Sequence, residues 1–158
     1  MTHTTSEEKE QSFFALLRFA LIVLIIVLPI RFFVAQPFIV SGASMEQTFA
    51  HNDYLIIDRL SYRFAEPTRG DVVVFRYPRD PSQFFIKRII GLPGETVQIN
   101  SGIVTIKTAT GTVKLAEPYT STRAEESLRV TLRDDEFFVL GDNRQQSSDS
   151  RTWGPLHE

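Results

Sequence analysis

The stretch QFFIKRIIGLPGETVQINSGIVTI, residues 83–106, decides the fold of this 158-residue chain. Its first part, QFFIKRIIG, is a short, mostly apolar run that the turn residues LPGE close. The remainder holds two more such runs, TVQI and IVTI, with Asn-Ser-Gly between them. Short apolar runs bounded by turn residues predict β-strands, and the last two predict a β-hairpin.

Similar runs occur on both sides of this stretch. They are DYLIID (53–58), GDVVVFRY (70–77) and EFFVLGDN (136–143), whereas no long segment with the helical period follows residue 40. The sequence therefore predicts a mainly β domain with non-local strand pairing. Residues 107–133 are polar and rich in Thr and Ser, and they predict an exposed excursion with little structure of its own.

Composition excludes several classes of function. The net charge of -2 lacks the basic footprint of a nucleic-acid-binding protein. The absence of cysteine excludes disulfides, thiolate metal sites and a Cys nucleophile. Three histidines, at positions 3, 51 and 157, are scattered, which argues against a zinc site or a His-based triad. We therefore expect neither a metal nor another cofactor.

The N-terminal region differs from the rest of the chain. Residues 1–12 are polar and predict a disordered tail, and residues 13–34 predict a transmembrane anchor. The 18 residues from Phe13 to Ile30, interrupted only by Arg18, would span roughly 27 Å as a helix, close to the bilayer core. A buried core helix is less favoured because the segment is apolar on all sides. A cleavable signal peptide is less favoured because Phe33 stands where a small residue is needed.

Charges flanking the anchor predict its orientation. Lys9 and Arg18 lie on one side and Arg31 on the other, a weak bias that places the N-terminus inside. Residues 35–158 would then form an extracytoplasmic β domain.

Alternation along FFIKRII separates two adjacent cations. Lys87 shares a strand face with Phe85 and Ile89, whereas Arg88 lies on the opposite face. Desolvation of the Lys87 ammonium would lower its pKa from about 10.4 toward that of a general base at neutral pH. Such a base could activate Ser44, in VSGASMEQTF (40–49), without a histidine. Taken alone, Lys87 is better explained as a guard of an edge strand and Ser44 as a turn residue.

A third segment, GDNRQQSSDSRTWG (141–154), changes that balance. It follows the strand EFFVL and concentrates Asp, Asn, Arg and Ser in one loop. Turn chemistry explains the Gly, Asp, Asn and Ser residues, but it does not require Asp-Ser-Arg followed by Trp-Gly.

Taken together, the three segments resemble bacterial type I signal peptidases, the membrane-anchored Ser/Lys proteases that remove signal peptides from exported proteins. The matching motifs are SM-x-x-T after an anchor, GDVVVF…IKRIIGLPGE in the middle, and GDNR-x-x-S-x-DSR-x-WG near the end. The resemblance implies two antiparallel β sheets with a long groove that binds an extended signal peptide. The implied partners are preprotein signal peptides and the lipid bilayer, with the enzyme acting as a monomer.

The resemblance also implies roles for individual residues. Ser44 would be the nucleophile and Lys87 the general base, with Ser147 orienting the lysine by a hydrogen bond. Asp149 and Arg151 would hold the loop, and Asp142 would pair with Arg88. Positions matching the pockets for small substrate residues, with their neighbours, are Phe38, Val40, Met45, Phe49, Phe85 and Ile86.

Three departures from the family pattern carry expectations. Gln47 replaces the usual proline of SM-x-P-T, which should loosen the turn without removing a reacting atom. Gly42 replaces the serine that some members use in the oxyanion hole, so the hole would rest on backbone N–H groups, chiefly that of Ser44. The chain ends four residues after Trp-Gly, where family members continue, so a C-terminally truncated domain is expected.

Two other functions remain open from the sequence. Self-cleaving repressors of the SOS response also use Ser and Lys on a related β fold, but they are soluble, which the apolar segment disfavours. A membrane-anchored β module that only binds, having lost catalysis, is the alternative from a different class.

Overall fold

The computed structural model describes residues 5–29, 35–58, 60–121 and 126–158. The chain divides into two compact units. The first comprises Met1–Phe38 with Ile56–Ala65, and the second comprises Ile39–Leu55 with Glu66–Glu158.

The first unit contains helix α1, Thr5–Pro29. Its segment Glu10–Pro29 has a mean hydropathy of 2.6, and none of its residues is buried against the rest of the protein. The helix is therefore long and apolar enough to cross a membrane. The helix begins earlier than the sequence suggests, because residues 5–12, for which a disordered tail is predicted, are helical. This part of the chain is rich in Glu, Lys and Gln, which favour helix, and the apolar turns that follow supply the costly nucleus.

Two short strands, β1 (Ala35–Ile39) and β2 (Tyr54–Asp58), form a two-stranded sheet. Beyond it, in the second unit, Val40 continues the pairing: its N–H donates to Asp53 O and its carbonyl accepts from Asn52 N, each at 2.9 Å. These bonds fix both ends of the intervening turn-rich segment.

One four-stranded antiparallel sheet, here called the β4 sheet, has the order β10-β9-β4-β3. Its strands are β3 (Val72–Tyr77), β4 (Asp80–Gly91), β9 (Glu136–Leu140) and β10 (Leu156–His157). A four-residue helix, α2 (Ser150–Trp153), precedes β10.

The second four-stranded sheet, here called the outer sheet, has the order β7-β6-β5-β8. Its strands are β5 (Thr96–Asn100), β6 (Ile103–Thr108), β7 (Gly111–Lys114) and β8 (Leu128–Thr131). The predicted hairpin is present, and Ser101 and Gly102 close it with φ of 47° and 74°. Positive φ at both central residues is the geometry of a type I′ turn, whose twist matches paired strands.

The prediction for residues 107–133 is wrong in part, because β7 and β8 lie within this range. Leu128 and Val130 are partly buried while Arg129 and Thr131 are exposed, which is the alternation of a half-buried strand. Sheet pairing with β5 compensates for the high content of polar residues around them.

The main core joins the two sheets. It consists of Ile90, Val97, Ile99, Val104, Ile106, Leu132, Phe138 and Leu140. A smaller cluster on the other side of the β4 sheet contains Ile89, Phe137 and Val139. Adjacent Ile89 and Ile90 thus enter different clusters, which confirms the period-two alternation predicted for β4. Burial of each such side chain contributes roughly 1.5–3 kcal/mol.

Gly91, at the end of β4, permits this close packing. A Cβ there would lie 2.8 Å from Leu132 Cδ1 and closer still to Val97 Cγ2. The register of the β4–β9 pair also shifts between Ile89 and Gly91, which bends β4 toward the outer sheet's core residues.

Candidate active site

Ser44 lies in a compact series of turns that follows β1. Glu46 N donates to Ala43 O at 3.1 Å, and Phe49 N donates to Met45 O at 2.8 Å. The Met45 side chain is 1% exposed and anchors the turns in the protein interior. Ser44 itself is half-buried, which leaves its hydroxyl within reach of a second molecule.

Gln47, which stands where the family pattern has proline, lies in a hydrogen-bonded turn. Gln47 has a φ of 92°, and Thr48 N still donates to Met45 O at 3.0 Å. The Gln47 amide also contacts Ser121 Oγ. The expectation of a looser turn stays a prediction, and the structure shows a left-handed residue at this position.

Lys87 comes from β4 and meets Ser44 in the interior. Lys87 is only 3% exposed, and its Nζ lies 2.8 Å from Ser44 Oγ and 2.9 Å from Ile86 O. The amine also lies 5.0 Å from the centre of the Phe85 ring. Burial lowers the pKa of Lys87 to about 8, although Asp149 and Asp142 act in the opposite direction. With this pKa, roughly a tenth of Lys87 is neutral at pH 7 and about half at pH 8.

Arg88 points to the other side of β4 and is paired there. Its Nε and Nη2 donate to the two carboxylate oxygens of Asp142 at 2.9 and 2.7 Å, and Nη1 donates to Gly70 O at 2.8 Å. Asp142 is 1% exposed. Its carboxylate also accepts from Thr48 Oγ1 at 2.5 Å. This pair therefore joins β4, the loop after β9 and the Ser44 turn.

The loop after β9 is held by a fully buried carboxylate. Asp149 accepts from Arg151 Nε at 2.8 Å and Nη2 at 2.9 Å, and from Gly141 N at 3.1 Å. Asn143 N donates to Ser44 O at 3.0 Å, so the loop also contacts the Ser44 turn directly. Asp149 and Arg151 lie together as the sequence predicts.

Ser147 lies near these groups but does not make the bond expected of it. Within the described part of the chain, its Oγ is buried and has no hydrogen-bond partner. Gly141 leaves room for it: a Cβ at that position would lie 2.5 Å from Ser44 O and closer still to Ser147 Oγ. Lys87 Nζ instead uses Ser44 Oγ and Ile86 O.

Gly42 lies two residues before Ser44 in a conformation that suits glycine, with a φ of 104°. Its N–H donates to His51 Nδ1 at 3.2 Å, and its position is exposed. With no side chain at this position, an oxyanion there would be bound by backbone N–H groups.

The predicted pocket residues have different surroundings. Val40 and Met45 are buried, at 5% and 1% exposure, while Phe49, Phe85 and Ile86 are partly buried. Phe85 stacks on Tyr77 with ring centres 4.3 Å apart, so it packs within the β4 sheet as well as beside Lys87. Phe38 belongs to the first unit, and its assignment to a pocket stays a prediction.

Sequence reasoning assigned no role to several residues of the site. They are Thr48, His51, Glu117, Tyr119 and Arg144. The letters for Thr48 and Arg144 stand inside the quoted motifs, whereas Glu117 and Tyr119 lie in the region interpreted as an excursion. Among the residues that the structure describes, no group of three or more His, Asp or Glu could hold a metal ion.

Comparisons with known proteins identify the family of the chain. Residues 13–158 match the family described as signal peptidase, peptidase S26. A probable signal peptidase I-1 from Synechocystis sp. is 39% identical over 144 residues, covering 86% of this chain and 71% of its own length. A signal peptidase I from Leptolyngbya laminosa is 41% identical, covering 82% of this chain and 66% of its own length. The chain thus spans about two thirds of the length of these relatives.

A solved structure shows a similar fold. The crystal structure of a signal peptidase I from Enterococcus faecalis V583 has a TM-score of 0.50 and 33% sequence identity. The match covers 59% of this chain and 91% of that one.

Proposed function

The chain belongs to the signal peptidase family of S26 peptidases, and we propose that it removes signal peptides from exported preproteins with a Ser44/Lys87 dyad. The observation that carries the proposal is the buried amine of Lys87, 2.8 Å from Ser44 Oγ. With a pKa of about 8, Lys87 can accept the hydroxyl proton of Ser44 when it is neutral and donate a proton when it is charged.

The first half of the reaction is acylation of the serine. Neutral Lys87 takes the hydroxyl proton as Ser44 Oγ attacks the carbonyl carbon of the scissile peptide bond. The negative charge that develops on the carbonyl oxygen is stabilised by backbone N–H groups, chiefly that of Ser44. Protonated Lys87 then gives its proton to the leaving amine, which departs as the N-terminus of the mature protein.

The second half releases the signal peptide. Lys87, neutral again, accepts a proton from water as the water oxygen attacks the acyl carbon. The ester bond to Ser44 Oγ breaks, and the proton returns from Lys87 to the serine oxygen. Asp149 and Arg151 hold the loop that contacts Ser44 O, and the Asp142–Arg88 pair fixes β4 beneath Lys87.

Substrate selection follows from the residues around the dyad. An extended substrate segment would bind beside exposed strand backbone, so main-chain hydrogen bonds supply much of the affinity. The apolar side chains of Val40, Met45, Phe49 and Ile86 would line shallow pockets that admit only small residues before the cleaved bond. Phe85 would extend these pockets.

Helix α1 supplies the location. The family is membrane-anchored, and Glu10–Pro29 is apolar enough for a single span. We infer that the catalytic domain is extracytoplasmic, which the charges of Lys9 and Arg18 before Arg31 favour. The dyad and its supporting residues all come from one chain, which supports a monomeric enzyme.

The experiment that tests the proposal is processing of a labelled preprotein by the detergent-solubilised chain. We expect a product cut after a small residue, and no product with Ser44→Ala. Ser127→Ala serves as the matched control, because Ser127 is an exposed serine outside the dyad. Cleavage by Ser44→Ala would overturn the assignment, and a wild-type chain that binds the preprotein without cleaving it would support a binding module instead.

A further inference from the structure

The segment 115–121, between β7 and β8, contacts two arginines of the site through one buried carboxylate and one aromatic ring. Glu117 accepts from both terminal nitrogens of Arg144, with Nη1 at 3.3 Å from Oε2 and Nη2 closer to Oε1. The two side chains are only 9% and 4% exposed. A buried pair of this kind is costly to break, because the remaining partner becomes an uncompensated charge.

Tyr119 connects this ion pair to the other arginine. Its hydroxyl donates to Glu117 Oε1 at 3.1 Å, and its ring lies 4.1 Å from the Arg88 guanidinium carbon. Burial, together with the Glu117 charge, raises the pKa of Tyr119, so the hydroxyl stays a donor at any working pH. Arg88 therefore lies between the Asp142 carboxylate and an aromatic face.

The two arginines are the points where this segment reaches the catalytic groups. Arg88 follows Lys87 directly on β4 and sets the position of that strand by its bonds to Asp142 and Gly70. Arg144 Nε donates to Gly141 O at 3.0 Å, in the loop whose Asn143 N–H binds Ser44 O. Movement of either guanidinium would change the approach of Lys87 to Ser44.

We propose that Glu117 and Tyr119 are positioning residues, which hold Arg88 and Arg144 so that Lys87 and Ser44 keep the distance needed for proton transfer. The proposal rests on the proposed function and extends it to the segment that connects β7 and β8 of the outer sheet. The charges balance locally, with Arg88 and Arg144 facing Asp142 and Glu117. The simpler explanation is that the segment only covers the core, as Leu115 does beside it.

Substitutions at Tyr119 separate these explanations. Tyr119→Leu removes the ring from Arg88 but keeps an apolar side chain, and we expect kcat to fall roughly five- to thirty-fold with KM changed less than about two-fold. Tyr119→Phe keeps the ring, and its kcat should be at least five-fold higher than that of Tyr119→Leu. Leu115→Ala is the control, because it removes core packing from the same segment without touching either arginine.

The measurement is kcat and KM for an Ala-x-Ala peptide with the full chain in detergent, together with the thermal midpoint of each variant. Glu117→Gln leaves the buried Arg144 charge without a carboxylate and should lower the thermal midpoint most. Because this variant could lose activity by unfolding, the proposal is judged on the Tyr119 variants. An unchanged kcat in Tyr119→Leu, an equal loss in Tyr119→Phe, or an equal loss in Leu115→Ala would each overturn the proposal. Failure of the wild type to cleave would instead refute the proposed function.

Discussion

Lys87 and Arg88 are neighbours on β4, yet their surroundings shift their pKa values in opposite directions. On one face, Lys87 is surrounded by Phe85, Ile86 and Ser44, and burial lowers its pKa to about 8. On the other face, the Asp142 carboxylate raises the pKa of Arg88 and keeps it charged. A base needs an exchangeable proton, whereas a positioning group needs a permanent charge, and lysine and arginine differ in this property.

The sharpest way to break the comparison is to remove the lysine. Lys87→Met should reduce processing by at least about a thousand-fold, because the general base and the later proton donor are lost. Its fold should persist, since an apolar side chain replaces a desolvated amine. Lys87→Arg should be equally inactive because guanidinium stays protonated. Preprotein cleavage assays measure both variants, and processing at a tenth of the wild-type rate by either would contradict the dyad.

Removing the partner of Arg88 should act on stability instead. Asp142→Ala leaves a guanidinium that is only 12% exposed without its carboxylate, and we expect a loss of roughly 3–5 kcal/mol in the free energy of unfolding. Urea denaturation measures this loss. The double variant Arg88→Met/Asp142→Leu should be far less destabilised, because no unpaired charge remains. Equal losses in the single and double variants would mean that packing, and not charge pairing, dominates this face.

The two faces should also differ in their response to pH. Activity should rise about ten-fold per pH unit in acid and level off above the Lys87 pKa of about 8, because only the neutral amine accepts the serine proton. A pH–rate profile on one Ala-x-Ala peptide measures this. A flat profile, or a rate that falls as pH rises through neutrality, would count against a lysine base.

The same ionisation affects stability with a definite sign. The folded pKa of about 8 lies below the ordinary value of 10.5, so the unfolded chain binds more protons between these pH values. Wild-type stability relative to Lys87→Met should therefore rise across this window, by about 3 kcal/mol at most, and stay constant below it. Chemical denaturation at several pH values gives the difference, and a relative stability that falls with rising pH would contradict the assignment.

Ser147→Ala should have the smallest effect. The hydroxyl has no partner in the described residues, so its removal should leave the free energy of unfolding unchanged or raise it by up to about 1 kcal/mol. We expect the rate to fall by less than about ten-fold. Denaturation and cleavage rates measured on the same preparation test both values. A larger loss in rate would show that Ser147 turns toward Lys87 when substrate binds.

Much of this arrangement was predictable because it depends on local pattern. Alternation in FFIKRII separated Lys87 from Arg88, and the turn residues around TVQI and IVTI predicted the hairpin. The roles of Asp142 and Asp149 needed motif resemblance, because nothing in an isolated loop shows which arginine a carboxylate will meet. Family membership and the mainly β fold predicted in this way are confirmed by the comparisons.

The remainder depended on tertiary contacts that no local pattern specifies. Glu117 and Tyr119 stand among polar residues, and only the packing of the outer sheet brings them to Arg144 and Arg88. The β8 strand is short, and its alternation is detectable only once β5 is known to lie beside it. The missing bond at Ser147 is likewise a tertiary feature, because Lys87 Nζ bonds Ser44 Oγ and Ile86 O.

The left-handed backbone at Gln47 has a consequence for how this sequence could have changed over time. A proline ring holds φ near about −65°, whereas Gln47 has a φ of 92°, so the proline common in relatives does not fit the present turn. Gln47→Pro, although it restores the residue of the family pattern, would demand a different path for the residues around Ser44. A proline at position 47 would therefore require further substitutions around it. Borrowing the consensus residue would be a poor route to a more stable enzyme here.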